Sequence, residues 1–120
     1  MVDMNFKNWT ETFAQSILSS SLDTDENHID QFLNKKLRNS VASLEEASGK
    51  IHSCNSPLDF YYYLCVFIQE AKNCMYWYER SLEYEKVNLN NSQMIINQGK
   101  SMIEVLEATL RVIKFQENLN

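Results

Sequence analysis

The stretch Cys54–Phe67, CNSPLDFYYYLCVF, joins a helix-ending break to the start of a long apolar segment. Ser56 can cap a new helix, and Pro57 suits its first turn because the N–H that proline lacks would be unsatisfied there anyway. Asp59 completes an arrangement like a capping box. The stretch therefore predicts that one helix ends near Ser53 and that the next starts at Pro57.

Apolar residues recur in steps of three and four on both sides of this break. The steps predict four helices, at about Asn5–Ser19, Asp25–Ser53 and Pro57–Lys86, with the fourth from Asn91 or Ser92 to about Gln116. Only 2 Gly and 1 Pro occur in 120 residues, which disfavours a fold of many strands and turns. We therefore predict an all-α fold, an antiparallel up-down four-helix bundle, formed by residues 1–120 as a single domain.

Each predicted helix has one apolar stripe that should face the core. The stripes are Phe6, Trp9, Phe13 and Ile17 in the first helix; Leu33, Leu37, Val41, Leu44, Ser48 and Ile51 in the second; Phe60, Leu64, Phe67, Ala71, Cys74 and Tyr78 in the third; and Ile95, Gly99, Met102, Leu106, Thr109 and Ile113 in the fourth.

Three adjacent tyrosines cannot share one role, because successive helical residues are rotated by about 100°. Tyr61 falls on the core or its rim, whereas Tyr62 and Tyr63 point to sides of the helix that the interior of a single bundle does not need.

The fourth helix likewise has large apolar residues on a second side, in addition to its core stripe. Broad apolar patches are rare on monomers, so these faces predict an oligomer interface. An alternative is that Tyr and Trp only cover the rim of the bundle, with their polar tips in water. The candidate interface residues are Tyr62, Tyr63, Trp77, Tyr84, Met94, Val105, Val112 and Phe115.

The formal net charge of -5 disfavours generic nucleic-acid binding. Lys35, Lys36 and Arg38 form a local basic patch that is a candidate nucleic-acid contact. A base-stacking platform at Tyr62 and Tyr63 would need positive charge between the aromatic rings. The next Lys or Arg after them in sequence is Lys72, so we do not expect such a platform.

Motifs for catalysis or cofactor binding are missing from the sequence. His28 and His52 fit no metal-ligand spacing, and a Cys54–His52 pair lacks a third, orienting group. There is no glycine-rich phosphate loop, membrane span or signal segment, and the 3 Cys are expected to be reduced. We therefore expect a cytoplasmic protein without enzyme activity, cofactor, metal or small-molecule substrate.

Residues 37–67, LRNSVASLEEASGKIHSCNSPLDFYYYLCVF, resemble the bacterial four helix bundle protein family. That family includes proteins encoded in ribosomal-RNA intervening sequences and accessory variability proteins of diversity-generating retroelements. This chain resembles a divergent member, with Ala47–Ile51 where the family usually has Asn-Ile-Ala-Glu-Gly. The resemblance implies a ring-like homopentamer, and for the retroelement relatives it implies association with RNA and a reverse transcriptase. The matching residues are Leu37, Arg38, Ser40, Ser43, Leu44, Asp59, Phe60, Tyr63 and Leu64.

Three functions are consistent with these features. The first is a non-enzymatic, self-associating bundle that serves as a scaffold or macromolecule-binding module. The second is an RNA-binding accessory protein that uses Lys35, Lys36 and Arg38, with its affinity multiplied by assembly. The third is a small acidic inhibitor or immunity-type protein that captures a basic partner through its carboxylates.

Overall fold

The predicted all-α bundle is confirmed by the structure, a computed structural model. It describes residues 6–20, 28–84 and 89–119, with the side chains of residues 8–18, 32–83 and 92–114. Each helix packs against the next in sequence, and the first closes the bundle against the last. The helices are α1 (Phe6–Ser20), α2 (His28–Ser53), α3 (Pro57–Tyr84) and α4 (Leu89–Leu119).

The break between α2 and α3 has the predicted geometry. The Ser56 Oγ accepts a hydrogen bond from the Asp59 backbone N–H at 3.0 Å, as a helix-capping serine does. The Phe60 N–H donates to the Ser56 carbonyl at 2.9 Å, which closes the first turn of α3. Because the connection is so short, α2 and α3 lie antiparallel along most of their length.

The core forms where the predicted stripes meet. All the stripe residues predicted for α2 and α3 are buried, and so are those of α4 from Ile95 to Leu106. Thr109 and Ile113, further along α4, are only half-buried. In α1, Phe13 and Ile17 are buried as predicted. The buried position of Trp9 was a wrong prediction, since this side chain is 38% exposed, and the Phe6 side chain lies outside the described residues.

Helix boundaries differ from the prediction mainly in α4, which begins at Leu89 instead of Asn91 or Ser92 and ends at Leu119 instead of about Gln116. The asparagines before Ser92 were taken as a turn signal. Asn90 and Asn91 belong to the first helical turn, where backbone N–H groups have no partner in the helix and polar residues are well tolerated, and Asn88 lies outside the described residues. The predicted start of the second helix and the predicted end of the third lie outside the described residues.

The helices differ greatly in length. α1 has 15 residues and α4 has 31, so they are about 22 and 46 Å long. The bundle measures 56 × 23 × 21 Å, which makes it a rod with α1 beside only part of α4. The side of α4 that faces α1 is therefore covered over part of its length. This incomplete cover explains why Thr109 and Ile113, in the second half of the predicted α4 core stripe, are only half-buried.

Gly99 lies where α1, α3 and α4 converge. A Cβ placed there would overlap the Met75 Sδ and lie 3.0 Å from the Phe13 Cε1. Gly49, in the interior of α2, is exposed and a Cβ there would meet nothing within 4 Å. The missing side chain is therefore required for packing at Gly99 and has no packing role at Gly49.

We predict that Gly49→Ala raises the free energy of unfolding by about 1 kcal/mol, because alanine favours a helix over glycine. Gly99→Ala should lower it by about 1–2 kcal/mol, because overpacking outweighs the same gain in helix propensity. Urea unfolding followed by circular dichroism measures both. Equal stabilisation by the two substitutions would show that Met75 moves aside without cost.

Candidate functional site

A groove between α1 and α4 encloses about 760 Å³. Buried Phe13 and Met102 form its floor, and exposed Trp9, Met94 and Val105 form its edges. The remaining lining residues are amides and hydroxyls, and every residue that lines the groove is uncharged. We call it the α1/α4 groove. An open, apolar groove with a few polar groups is typical of a site that binds a ligand or another protein.

The α4 side of this groove belongs to a longer stripe. Along α4, exposed residues follow one another in steps of four and three from position 94 to position 112, about 27 Å. We call this the α4 outer stripe. It continues past the groove, where α1 no longer covers α4. Its members are Met94, Gln98, Ser101, Val105, Ala108 and Val112.

Half of this stripe was identified from the sequence. Met94, Val105 and Val112 were predicted at an interface, and their side chains are 54%, 45% and 56% exposed. Phe115, predicted with them, continues the same steps, but its side chain lies outside the described residues. The small or polar members between them were missed because only large apolar residues were counted. Their spacing was the signal that could have found them.

A second surface lies on the opposite side, between α2 and α3. The Trp77 ring contacts Phe32 edge-on, with centroids 6.1 Å apart, and Tyr76 at 5.0 Å. The Lys36 Nζ lies 5.7 Å from the Trp77 centroid, and the Arg80 guanidinium lies 5.1 Å from that of Tyr76. We call these residues the α2/α3 aromatic cluster. In this cluster cations lie against aromatic rings, and each exposed cation–π contact stabilises by about 0.5–1 kcal/mol.

The tyrosine run is closer to positive charge than its sequence neighbours indicated. Tyr62 is 61% exposed and contacts the half-buried Tyr63 edge-on, with centroids 5.3 Å apart. Lys50 of α2 lies over the Tyr63 ring at 5.8 Å. The sequence distance to Lys72 therefore does not measure how far these rings lie from positive charge, because a neighbouring helix supplies a cation. The expectation that Tyr62 and Tyr63 form no base-stacking platform stays a prediction. Trp77 is half-buried, and the Tyr84 side chain lies outside the described residues.

The predicted basic patch is spread around α2. Lys35, Lys36 and Arg38 are all exposed. At about 100° per residue, Lys36 and Arg38 are about 160° apart around the helix. Only Lys36 is placed over Phe32 and Trp77. The three cations therefore do not share one face, and the cations beside aromatic rings come from α3 as well as α2.

A smaller cleft of about 290 Å³ between α1 and α2 brings Glu11, Glu45 and His52 together. No group of three or more His, Cys, Asp or Glu in the described part of the chain is positioned to hold a metal ion. The Cys54 thiol, two residues from His52, donates a hydrogen bond to the Ile51 carbonyl at 3.1 Å. The described contacts therefore direct this thiol to the backbone.

Cys74 is fully buried between α2 and α3. Burial raises the pKa of the Cys74 thiol to about 12, against the opposing effect of a hydrogen bond with Ser40. Since the thiolate is the nucleophile, this cysteine is inert at neutral pH. Cys54 and Cys65 are half-buried.

No protein family, curated protein sequence or solved structure matches this chain in comparisons with known proteins. Membership of the four helix bundle protein family therefore stays a prediction. Among the described helices, none is long and apolar enough to cross a membrane.

We predict that a thiol reagent at pH 8 modifies Cys54 and Cys65 in the native protein and leaves Cys74 unmodified. Burial and a pKa near 12 both suppress thiolate formation at Cys74. Mass spectrometry of proteolytic peptides, before and after unfolding in urea, identifies the modified residues. Rapid native modification of Cys74 would contradict the packing of α2 against α3.

Proposed function

We propose that this protein is a non-enzymatic helical bundle that self-associates and serves as a scaffold or macromolecule-binding module. The α4 outer stripe is the observation that supports the proposal. It combines exposed apolar side chains, helical spacing and an adjoining uncharged groove in one surface. Monomeric proteins rarely expose such a surface without binding something there.

The energetics favour covering this surface. Met94, Val105 and Val112 each expose about half of their surface, and burying an apolar side chain contributes up to about 1.5–3 kcal/mol. Trp9, at the edge of the groove, is the type of residue that dominates binding energy in protein interfaces. Association must also overcome the loss of translational and rotational freedom. Burial of the apolar side chains along this stripe would contribute free energy that offsets that loss.

We predict that the unmodified chain forms a stable oligomer at tens of micromolar and that Val105→Glu with Val112→Glu shifts it to the monomer. Two carboxylates in the interface would have to be buried without partners. Both positions are exposed in the single chain, so the variant should still fold. Light scattering after size-exclusion chromatography measures the mass, and circular dichroism checks the fold.

Leu58→Glu is the matched control, because Leu58 is the most exposed of the large apolar residues described and lies on α3, outside the α4 outer stripe. It should leave the oligomer intact. A strictly monomeric wild-type chain would refute self-association. The homopentamer remains an expectation from the family resemblance, and the measured mass also tests that number.

A second candidate function is binding of single-stranded RNA, favoured by the α2/α3 aromatic cluster. Tyr76 is exposed, and Lys36 and Arg80 lie against the rings of the cluster. Bases can stack on such rings while cations contact the phosphates. Arg80 also pairs with Glu83 at 3.1 Å, which reduces the positive charge offered to a phosphate. For this reason the candidate ranks below self-association.

If the chain binds RNA, Lys36→Ala and Tyr76→Ala should each weaken binding about tenfold, through lost phosphate contact and lost stacking. Fluorescence anisotropy with a labelled single-stranded RNA, repeated at several salt concentrations, measures this affinity. Lys114→Ala, which removes an exposed cation of α4, is the control. Binding that neither salt nor these substitutions changes would rule out this site.

A further inference from the structure

We infer that the α4 outer stripe is a two-fold interface, against which α4 of a second copy packs antiparallel with Glu104 opposite the partner's Arg111. This inference rests on the proposed self-association and adds the surface, the direction and the register. It comes from the spacing of the stripe and from the exposed charges beside it. A two-fold contact needs only one surface, because the same residues serve both copies.

The steps of four and three along the stripe correspond to the two inward positions of a coiled-coil heptad, a and d. Gln98, Val105 and Val112 occupy a, and Met94, Ser101 and Ala108 occupy d. All of them are exposed in the single chain. α4 therefore carries two seams, one for its own core and one that faces outward.

In an antiparallel pair, each a residue of one helix lies against a d residue of the other. Centring the pair between Val105 and Ala108 places Val105 against the partner's Ala108 and Val112 against the partner's Ser101. A branched side chain then meets a small one in both layers, which suits close packing. This centre lies at the end of the α1/α4 groove, because Val105 still lines the groove whereas Ala108 and Val112 lie past it.

The charges beside the stripe select this register. Position g, on the flank away from the core of the bundle, is occupied by Asn97, Glu104 and Arg111, and all three side chains are exposed. In antiparallel pairs g positions face each other. The register above brings Glu104 beside the partner's Arg111, and symmetry repeats the pair. A shift of one heptad in one direction would bring Glu104 against the partner's Glu104, and a shift in the other direction would bring Arg111 against the partner's Arg111. Either shift would place like charges together.

The e flank, on the other side of the stripe from g, favours an antiparallel over a parallel arrangement of the two α4 helices. The e positions next to the stripe include Met102, which is buried, and Thr109, which is half-buried in the chain's own bundle. In a parallel pair, Glu104 would lie near the partner's Thr109 and gain no charge partner. Only the antiparallel pair satisfies both exposed charges. Such a contact closes on two copies, so it predicts a dimer and not the five-membered ring that the family resemblance implies.

The test is a charge exchange in the full-length chain, with the dimer dissociation constant measured by analytical ultracentrifugation. Glu104→Arg and Arg111→Glu should each raise the constant about tenfold, since both symmetric pairs change from attraction to repulsion. The double variant should recover dimerisation, because exchanged charges attract again. An equimolar mixture of the two single variants should form heterodimers more tightly than either variant forms homodimers.

Lys100→Glu is the matched control, because it makes the same charge change as Arg111→Glu at an exposed position of α4 outside the stripe and its g flank. It should leave the constant within about threefold of wild type, given the small energies of exposed charges. A wild-type dimer that is insensitive to both single reversals would overturn this interface while leaving self-association standing. A monomeric wild-type chain would overturn both.

Discussion

The hydrogen bond from the Asp59 N–H to the Ser56 hydroxyl starts α3 directly after α2 has ended, and the rest of the bundle is arranged around the resulting pair. The short connection forces α2 and α3 to run antiparallel, so their apolar stripes meet along most of their length. Small residues such as Ser40 and Ala71 are buried in this contact and allow the backbones to approach closely. The same packing removes Cys74 from water and makes its thiol unreactive. α1 and α4 then complete the core around this pair.

Unequal helix length is the second constraint. A core needs cover on every side, and α1 is too short to cover the whole of α4. Ala108 and Val112 of the α4 outer stripe lie past the α1/α4 groove, and the other stripe residues stay exposed although they line the groove beside α1. Lys72 and Glu107, with their charged atoms 3.1 Å apart, tie α4 to α3 on its other side. The stripe is therefore presented by a helix whose position is already set by its own bundle, which favours binding without rearrangement.

Much of the fold was predictable because the helix-capping residues and the spacing of apolar residues indicate the same helices. Ser56 and Pro57 carry a capping signal that depends on nearest neighbours, and the stripes of α2 and α3 have an unbroken period. The failures involve contacts between helices. Trp9 has the spacing of a core residue, but its neighbour across the groove does not cover it. The cation over Tyr63 comes from Lys50 on another helix, so the distance along the sequence to Lys72 had no bearing on it.

The sequence alone was sufficient for the number of helices, the position of the sharpest turn and the residues of the main core, because these depend on periodicity and on local hydrogen bonding. It was also sufficient to show that α4 has apolar residues on a second side. Which of those residues stay exposed depends on where the other helices end and how far they extend in space. Helix length and packing in three dimensions therefore decided that the α4 outer stripe remains uncovered while Tyr63 and Trp77 are partly buried.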